Sequence, residues 1–157
     1  MIKNFRRMVL AGTLTASTGL GIVASVVNAQ SQSLRQDLNG LILRHPRNGM
    51  IFWVDEGRIR HIYGMNVFDN LFNRSAIDND ISVTSIAGGP PVTNKNRLVR
   101  CEEANHPLNY GIYFLDQGTK RHILSPEAMR QNNFNVSKVR NVDCQALDAI
   151  PDGPDIQ

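Results

Sequence analysis

Histidine, aspartate and arginine recur in this chain at matched positions, and these are the side chains that ligate metals, carry protons and grip anions. The run Ile51-Phe52-Trp53-Val54-Asp55-Glu56-Gly57-Arg58-Ile59-Arg60-His61-Ile62 returns as Ile112-Tyr113-Phe114-Leu115-Asp116-Gln117-Gly118-Thr119-Lys120-Arg121-His122-Ile123. His45 and His106 form a second matched pair, so all 4 histidines are repeat positions. Histidine is both a ligand and a proton carrier near neutral pH. A symmetric pairing of His61, His122, Asp55 and Asp116 would make a small metal-binding protein or hydrolase, the alternative reading of the chain.

The same residues have scaffold roles that the repeat favours. A duplicated residue serves the architecture of the unit before it serves a one-off active site. Asp55 and Asp116 each open a Gly-containing turn, where aspartate caps nearby backbone N–H groups. Their equivalence also runs against the unlike acid and base environments of glycoside hydrolysis. No His-Glu-x-x-His spacing, nucleophile elbow, phosphate-cradling Gly-rich loop or Cys-x-x-Cys pair is present. No catalytic residue, resident metal or cofactor is therefore expected.

Arg60 and Arg121 carry the binding expectation. A three-residue hairpin loop, Asp55-Glu56-Gly57, places Arg60 opposite Phe52 and Arg121 opposite Tyr113, each guanidinium lying over a ring with its fork outward. Tyr63 and Tyr110 extend this into a repeated, shallow Arg and aromatic surface. A surface shown twice suits a polymeric partner.

The elements that position these residues follow from the pattern. Ile51–Val54 is rich in β-branched and aromatic residues and Arg58–Ile62 alternates polar with apolar, which predicts a β-hairpin in each copy. In that register Ile51, Trp53, Ile59 and His61 share one face and Phe52, Val54, Arg58 and Arg60 the other. Ser125-Pro126-Glu127 is a helix opening, with a short helix over Ala128–Asn132 and a weaker counterpart over Asn66–Leu71. Phe72 and Phe134 are expected to pack that helix onto the hairpin. Ile86 and Ile150 lead into Gly-Pro turns and last short strands at Val92 and Ile156. The expected fold is α+β, mainly β: two tandem hairpin-plus-short-helix repeats, residues 40–92 and 97–157, joined by 93–96 into one small pseudo-twofold domain. Cys101 and Cys144, the only 2 cysteines, both lie in the second copy and are expected to form a disulfide in an oxidising compartment.

The N-terminus reads as a targeting segment. Lys3, Arg6 and Arg7 precede a weakly apolar run, and Val27-Asn28-Ala29 suits cleavage after Ala29, giving a signal peptide over 1–29 and a linker over 30–39. The 157-residue chain has 17 Lys and Arg against 14 Asp and Glu, and the first 29 residues hold three of the basic residues and no acidic one. The remainder is balanced, which removes the electrostatic argument for a nucleic-acid partner. After signal removal no integral membrane segment is expected, and the location is periplasmic or extracellular.

The pattern aromatic-aromatic-Leu/Val-Asp-x-Gly-x-x-Arg-His-Ile, then Ser-Pro-Glu, Phe-Asn and Ile-Pro-x-Gly-Pro resembles short tandem repeats of exported bacterial proteins. The first copy departs from it at Tyr63-Gly64-Met65-Asn66, where the Ser-Pro-Glu opening is missing, and at Ala87. The resemblance implies a non-catalytic module. The expected function is binding of cell-envelope material, a glycan or an envelope protein, with a structural accessory subunit of an envelope complex as a further alternative.

Overall fold

The computed structural model describes residues 32–78 and 81–157. The expected signal peptide and its cleavage point at Ala29 lie outside the described residues. The chain folds as α+β, mainly β. Two four-stranded sheets are built from β1 (Ile42–Arg44), β2 (Ile51–Asp55), β3 (Arg58–His61) and β4 (Ile77–Asp78), and from β5 (Arg97–Arg100), β6 (Ile112–Asp116), β7 (Thr119–Ile123) and β8 (Arg140–Asn141). The strand orders correspond, β3-β2-β1-β4 and β7-β6-β5-β8, with the last strand of each parallel to its neighbour and the others antiparallel. Among the described residues three short α-helices, α1 (Met65–Asp69), α2 (Pro126–Gln131) and α3 (Cys144–Asp148), accompany the sheets, with single 3-10 turns at Gln36–Leu38, Arg74–Ala76 and Val136–Lys138. No helix among the described residues is long and apolar enough to cross a membrane.

The hairpin register corrects the sequence expectation. Both central residues of each turn have positive φ, 52° and 73° at Glu56 and Gly57, 51° and 81° at Gln117 and Gly118. Two such residues make the two-residue mirror-image turn whose twist matches that of antiparallel strands. Asp55 therefore pairs with Arg58, Trp53 with Arg60 and Phe52 with His61, and the second hairpin repeats this as Asp116 with Thr119, Phe114 with Arg121 and Tyr113 with His122. A shift of one residue moves side chains to the opposite face. Arg60 thus shares a face with Trp53, and His61 shares one with Phe52.

The inner faces of the two sheets bury one apolar core. Trp53, Phe72, Phe114 and Phe134 lie at its centre, with Trp53 ring centroids 5.7, 5.5 and 5.3 Å from those of the three phenylalanines. Phe72 and Phe134 stack on each other at 5.4 Å rather than serving only their own helices. The backbone seals this junction reciprocally: Asn73 N–H donates to the Asn133 carbonyl at 2.9 Å and Asn135 N–H to the Leu71 carbonyl at 2.8 Å. Edge-on and offset aromatic contacts of this kind add about 0.5–1.5 kcal/mol each beyond area burial.

The outer faces are covered by unlike means. Leu38, Val83 and Ile86 cover Leu43 and Val54 on the first sheet, while Cys144 and Leu147 of α3 cover Val99 and Tyr113 on the second. The Cys101–Cys144 disulfide ties α3 to the end of β5. Asp143, whose side chain accepts from Ala146 N–H, caps this helix. In α2, Ser125 caps Ala128 N–H and Pro126 stands in the first turn, as the sequence indicates, although the helix begins before Ala128. The segments ending at Val92 and Ile156 run parallel to the hairpin edges, bridging Ile62 and Ile123, so neither edge is left open.

Candidate functional site

Each two-residue turn puts its aspartate at the end of a strand, facing inward, and each arginine follows on the returning strand on the same face. The two hairpins meet there, and the four side chains form one closed ionic cluster. Arg60 forks onto Asp116 of the other half, Nη1 and Nη2 each donating at 2.7 Å, while Nη1 also donates to Asp55 at 2.7 Å. Arg121 answers from its side, Nη1 donating to Asp55 at 2.6 Å and Nη2 at 3.2 Å, with its Nη1 3.5 Å from Asp116. Asn96 Nδ2 donates to Asp116 at 2.8 Å.

The Gly-Pro turns belong to the same network. Arg60 Nε donates to the Pro90 carbonyl at 2.7 Å and Arg121 Nε to the Pro154 carbonyl at 2.8 Å. Gly89 and Gly153 let those segments lie directly on the arginine stems: a Cβ at Gly153 would stand 2.9 Å from Arg121 Cγ. Asp, Gly, Arg and Gly-Pro, far apart in the sequence pattern, are parts of one device.

Burial decides what the cluster can do. Arg60 is 2% exposed, Arg121 4%, Asp116 6% and Asp55 8%. Desolvation alone would raise the Asp116 carboxyl, but the hydrogen bonds and charges of Arg60, with Asn96 and Arg121, outweigh it and hold the group below the usual carboxylate range. Burial works to lower Arg60, and the two carboxylates more than reverse that. Two positive and two negative charges alternate inside, and the exposed Glu56 carboxylate adds an outer contact, accepting from Arg121 Nη2 at 3.3 Å. No fork of either arginine is left outward for a ligand.

The expected Arg and aromatic surface is therefore not assembled. Arg60 lies over the buried Trp53 ring, 5.4 Å from its centroid, and not over Phe52. Phe52 instead contacts His61 at 5.3 Å and Tyr113 stacks on His122 at 4.9 Å, both on the outer faces. Tyr113 is buried, and desolvation pushes its hydroxyl up. Tyr63 and Tyr110 do reach solvent, at 57% and 72% exposure. The alternative set is also divided: Asp55 and Asp116 come together inside, whereas His61 and His122 stand on the opposite faces of their sheets. His45 and His106 cap turns, their Nδ1 atoms accepting from Arg47 and Leu108 N–H at 3.2 Å.

Among the described residues, an exposed cleft lies between β7 and α2. It has a volume of about 560 Å³ and is lined by Tyr110, His122, Leu124, Pro126, Met129 and Val136 among others. Leu124 is 47% exposed and Val136 68%. The corresponding hollow in the first half holds only about 220 Å³, with Met65 and Phe68 where the larger one has Pro126 and Met129. Another hollow, about 790 Å³, runs along the 93–96 joint, but the carboxylate reaching it, Asp116, is already held by Arg60 and Asn96. The sequence signals for the β7–α2 cleft were Leu124, apolar just before the Ser125 cap, and Val136, apolar inside a polar Asn-x-Ser turn.

No family model, curated protein or solved structure matches the chain.

Proposed function

We propose that the protein is an exported, non-catalytic binding module that accepts an apolar side chain of a cell-envelope protein in the cleft between β7 and α2. The carrying observation is the contrast between two sets of residues. The charged repeat residues neutralise one another in the interior, while Tyr110, Leu124 and Val136 are held in the open around a concave apolar space. A large exposed apolar patch with a rim of polar groups marks an interaction site. His122, Ser125 and Arg130 supply that rim.

The lining favours a protein segment over a glycan. A sugar site needs a dense set of hydrogen-bonding groups around an aromatic platform, whereas aliphatic and thioether side chains such as Leu124, Met129 and Val136 suit an apolar anchor. Export is supported by the n-region and small-residue cleavage pattern before Gln30, and by the disulfide.

The test compares wild type with Tyr110→Ala and Leu124→Ser proteins in capture from envelope extract, beside a glycan panel. The captured protein is then purified and titrated against all three. A loss of affinity of about tenfold or more in both variants is expected, as truncating a hot-spot anchor costs about 2 kcal/mol or more and about 1.4 kcal/mol is tenfold. Unchanged affinity, or saturable binding of a glycan and no protein, overturns the reading.

A further inference from the structure

The disulfide has a neighbour that its covalent role does not use. Cys101 Sγ, Cys144 Sγ and a ring nitrogen of His106 all lie within 4.8 Å of one another, the one such group of three among the described residues. Sulfur and nitrogen ligands on a tetrahedral zinc ion stand roughly 3.5–4 Å apart, given bonds of about 2.0–2.3 Å, so the cluster needs little rearrangement. A second observation lies beside it. Asn109 bridges Cys101 in the backbone ladder, and its Oδ1 is a buried acceptor without a hydrogen-bond partner.

We propose that Cys101, Cys144 and His106 form a redox-gated site for a thiophilic divalent cation, Zn²⁺, closed while the disulfide stands and opened by its reduction. A dithiol supplies the two electrons and two protons: its own sulfurs join in a disulfide as the Cys101–Cys144 bond breaks to two thiols. Zn²⁺ then displaces the two thiol protons and binds both thiolates, with His106 as third ligand and a fourth position open to water or Asn109. Two cysteines and a histidine with one open position is a recurrent zinc arrangement.

The geometry supports each part. Cys101 and Cys144 are buried at the base, and half-exposed His106 gives the site its opening to solvent. His106 is already oriented, since Nδ1 accepts from Leu108 N–H at 3.2 Å. That bond is long, and exchanging it for a metal bond loses little. The first half lacks the site: His45 makes the same kind of turn contact, but Arg44 pairs with Ile51 as Arg100 pairs with Ile112, so the position of Cys101 is taken by His45 itself and that half holds no cysteine.

The test reduces the protein with a dithiol, removes the reductant under anaerobic conditions and adds Zn²⁺ alone, measuring bound metal after gel filtration and fold by circular dichroism. One zinc per reduced folded chain is expected and none per oxidised chain. His106→Ala should weaken binding at least tenfold, His45→Ala should leave it unchanged, and Cys101→Ser with Cys144→Ser should abolish it. No zinc retained after reduction, equal retention by oxidised protein, or unchanged affinity in His106→Ala overturns the proposal.

Discussion

Arg60 binds Asp116 through both ends of its fork, each contact at 2.7 Å, although the two residues belong to different halves of the chain. It makes a single bond to Asp55, the aspartate of its own turn. The hairpins are thus cross-linked by charge at the point where their inner faces meet. Arg60→Ala removes one cation and leaves two buried carboxylates sharing Arg121. A loss of about 3–5 kcal/mol is expected in chemical denaturation, because the penalty falls on the charges left unpaired. Replacing all four residues by apolar ones of similar volume should cost much less.

The cluster also sets an acid limit. The folded-state carboxyl of Asp116 lies below its unfolded value of about 3.9. A depressed carboxyl contributes stability that is fully present above the unfolded value and is lost as pH falls through the folded one. Stability should change little from pH 7 to about 5 and fall below about 4. In Asp116→Asn the acid fall should be shallower and the neutral-pH stability lower, as denaturation series at stepped pH will show.

Gly153 gives a prediction about packing alone. A Cβ there would meet Thr119 Oγ1 at 2.5 Å and Arg121 Cγ at 2.9 Å, while one at Gly88 would meet nothing within 4 Å. Gly153→Ala should cost about 1–3 kcal/mol through overpacking. Gly88→Ala should stay within about 0.5 kcal/mol, and the pair can be measured side by side in urea.

The disulfide closes a loop of 43 residues around β6, β7 and α2. Cys101→Ser with Cys144→Ser should cost about 4 kcal/mol in the chain-entropy picture. The melting temperature of wild type should fall by a matching amount on reduction without metal.

The turns explain how much of this was legible in the sequence. Alternation and Gly57 or Gly118 located the hairpins, and Ser125-Pro126-Glu127 located α2, because those signals are local. The register was not legible. It depends on Glu56 and Gln117 adopting positive φ, which residues with a Cβ rarely do. That one-residue difference turned both arginines from the surface to the interior.

Long-range partners were hidden for a related reason. Nothing near Arg60 in sequence announces Asp116 or the Pro90 carbonyl, since only the meeting of two hairpins brings them together. The repeat itself was the available clue, because matched Asp and Arg residues in two units that face each other can pair crosswise. The unlike covers of the outer faces, with α3 behind Asp143 on one side only, lie outside the repeat pattern altogether.

A double-mutant cycle between Arg60 and Asp116 measures whether the matched charges join the two hairpins and are not displayed for a ligand. Arg60→Met, Asp116→Leu and the double variant are compared with wild type by chemical denaturation. Coupling of about 1.5–3 kcal/mol is predicted, with the double variant more stable than the sum of the single losses implies. Additive losses, with coupling below about 0.5 kcal/mol, would contradict it.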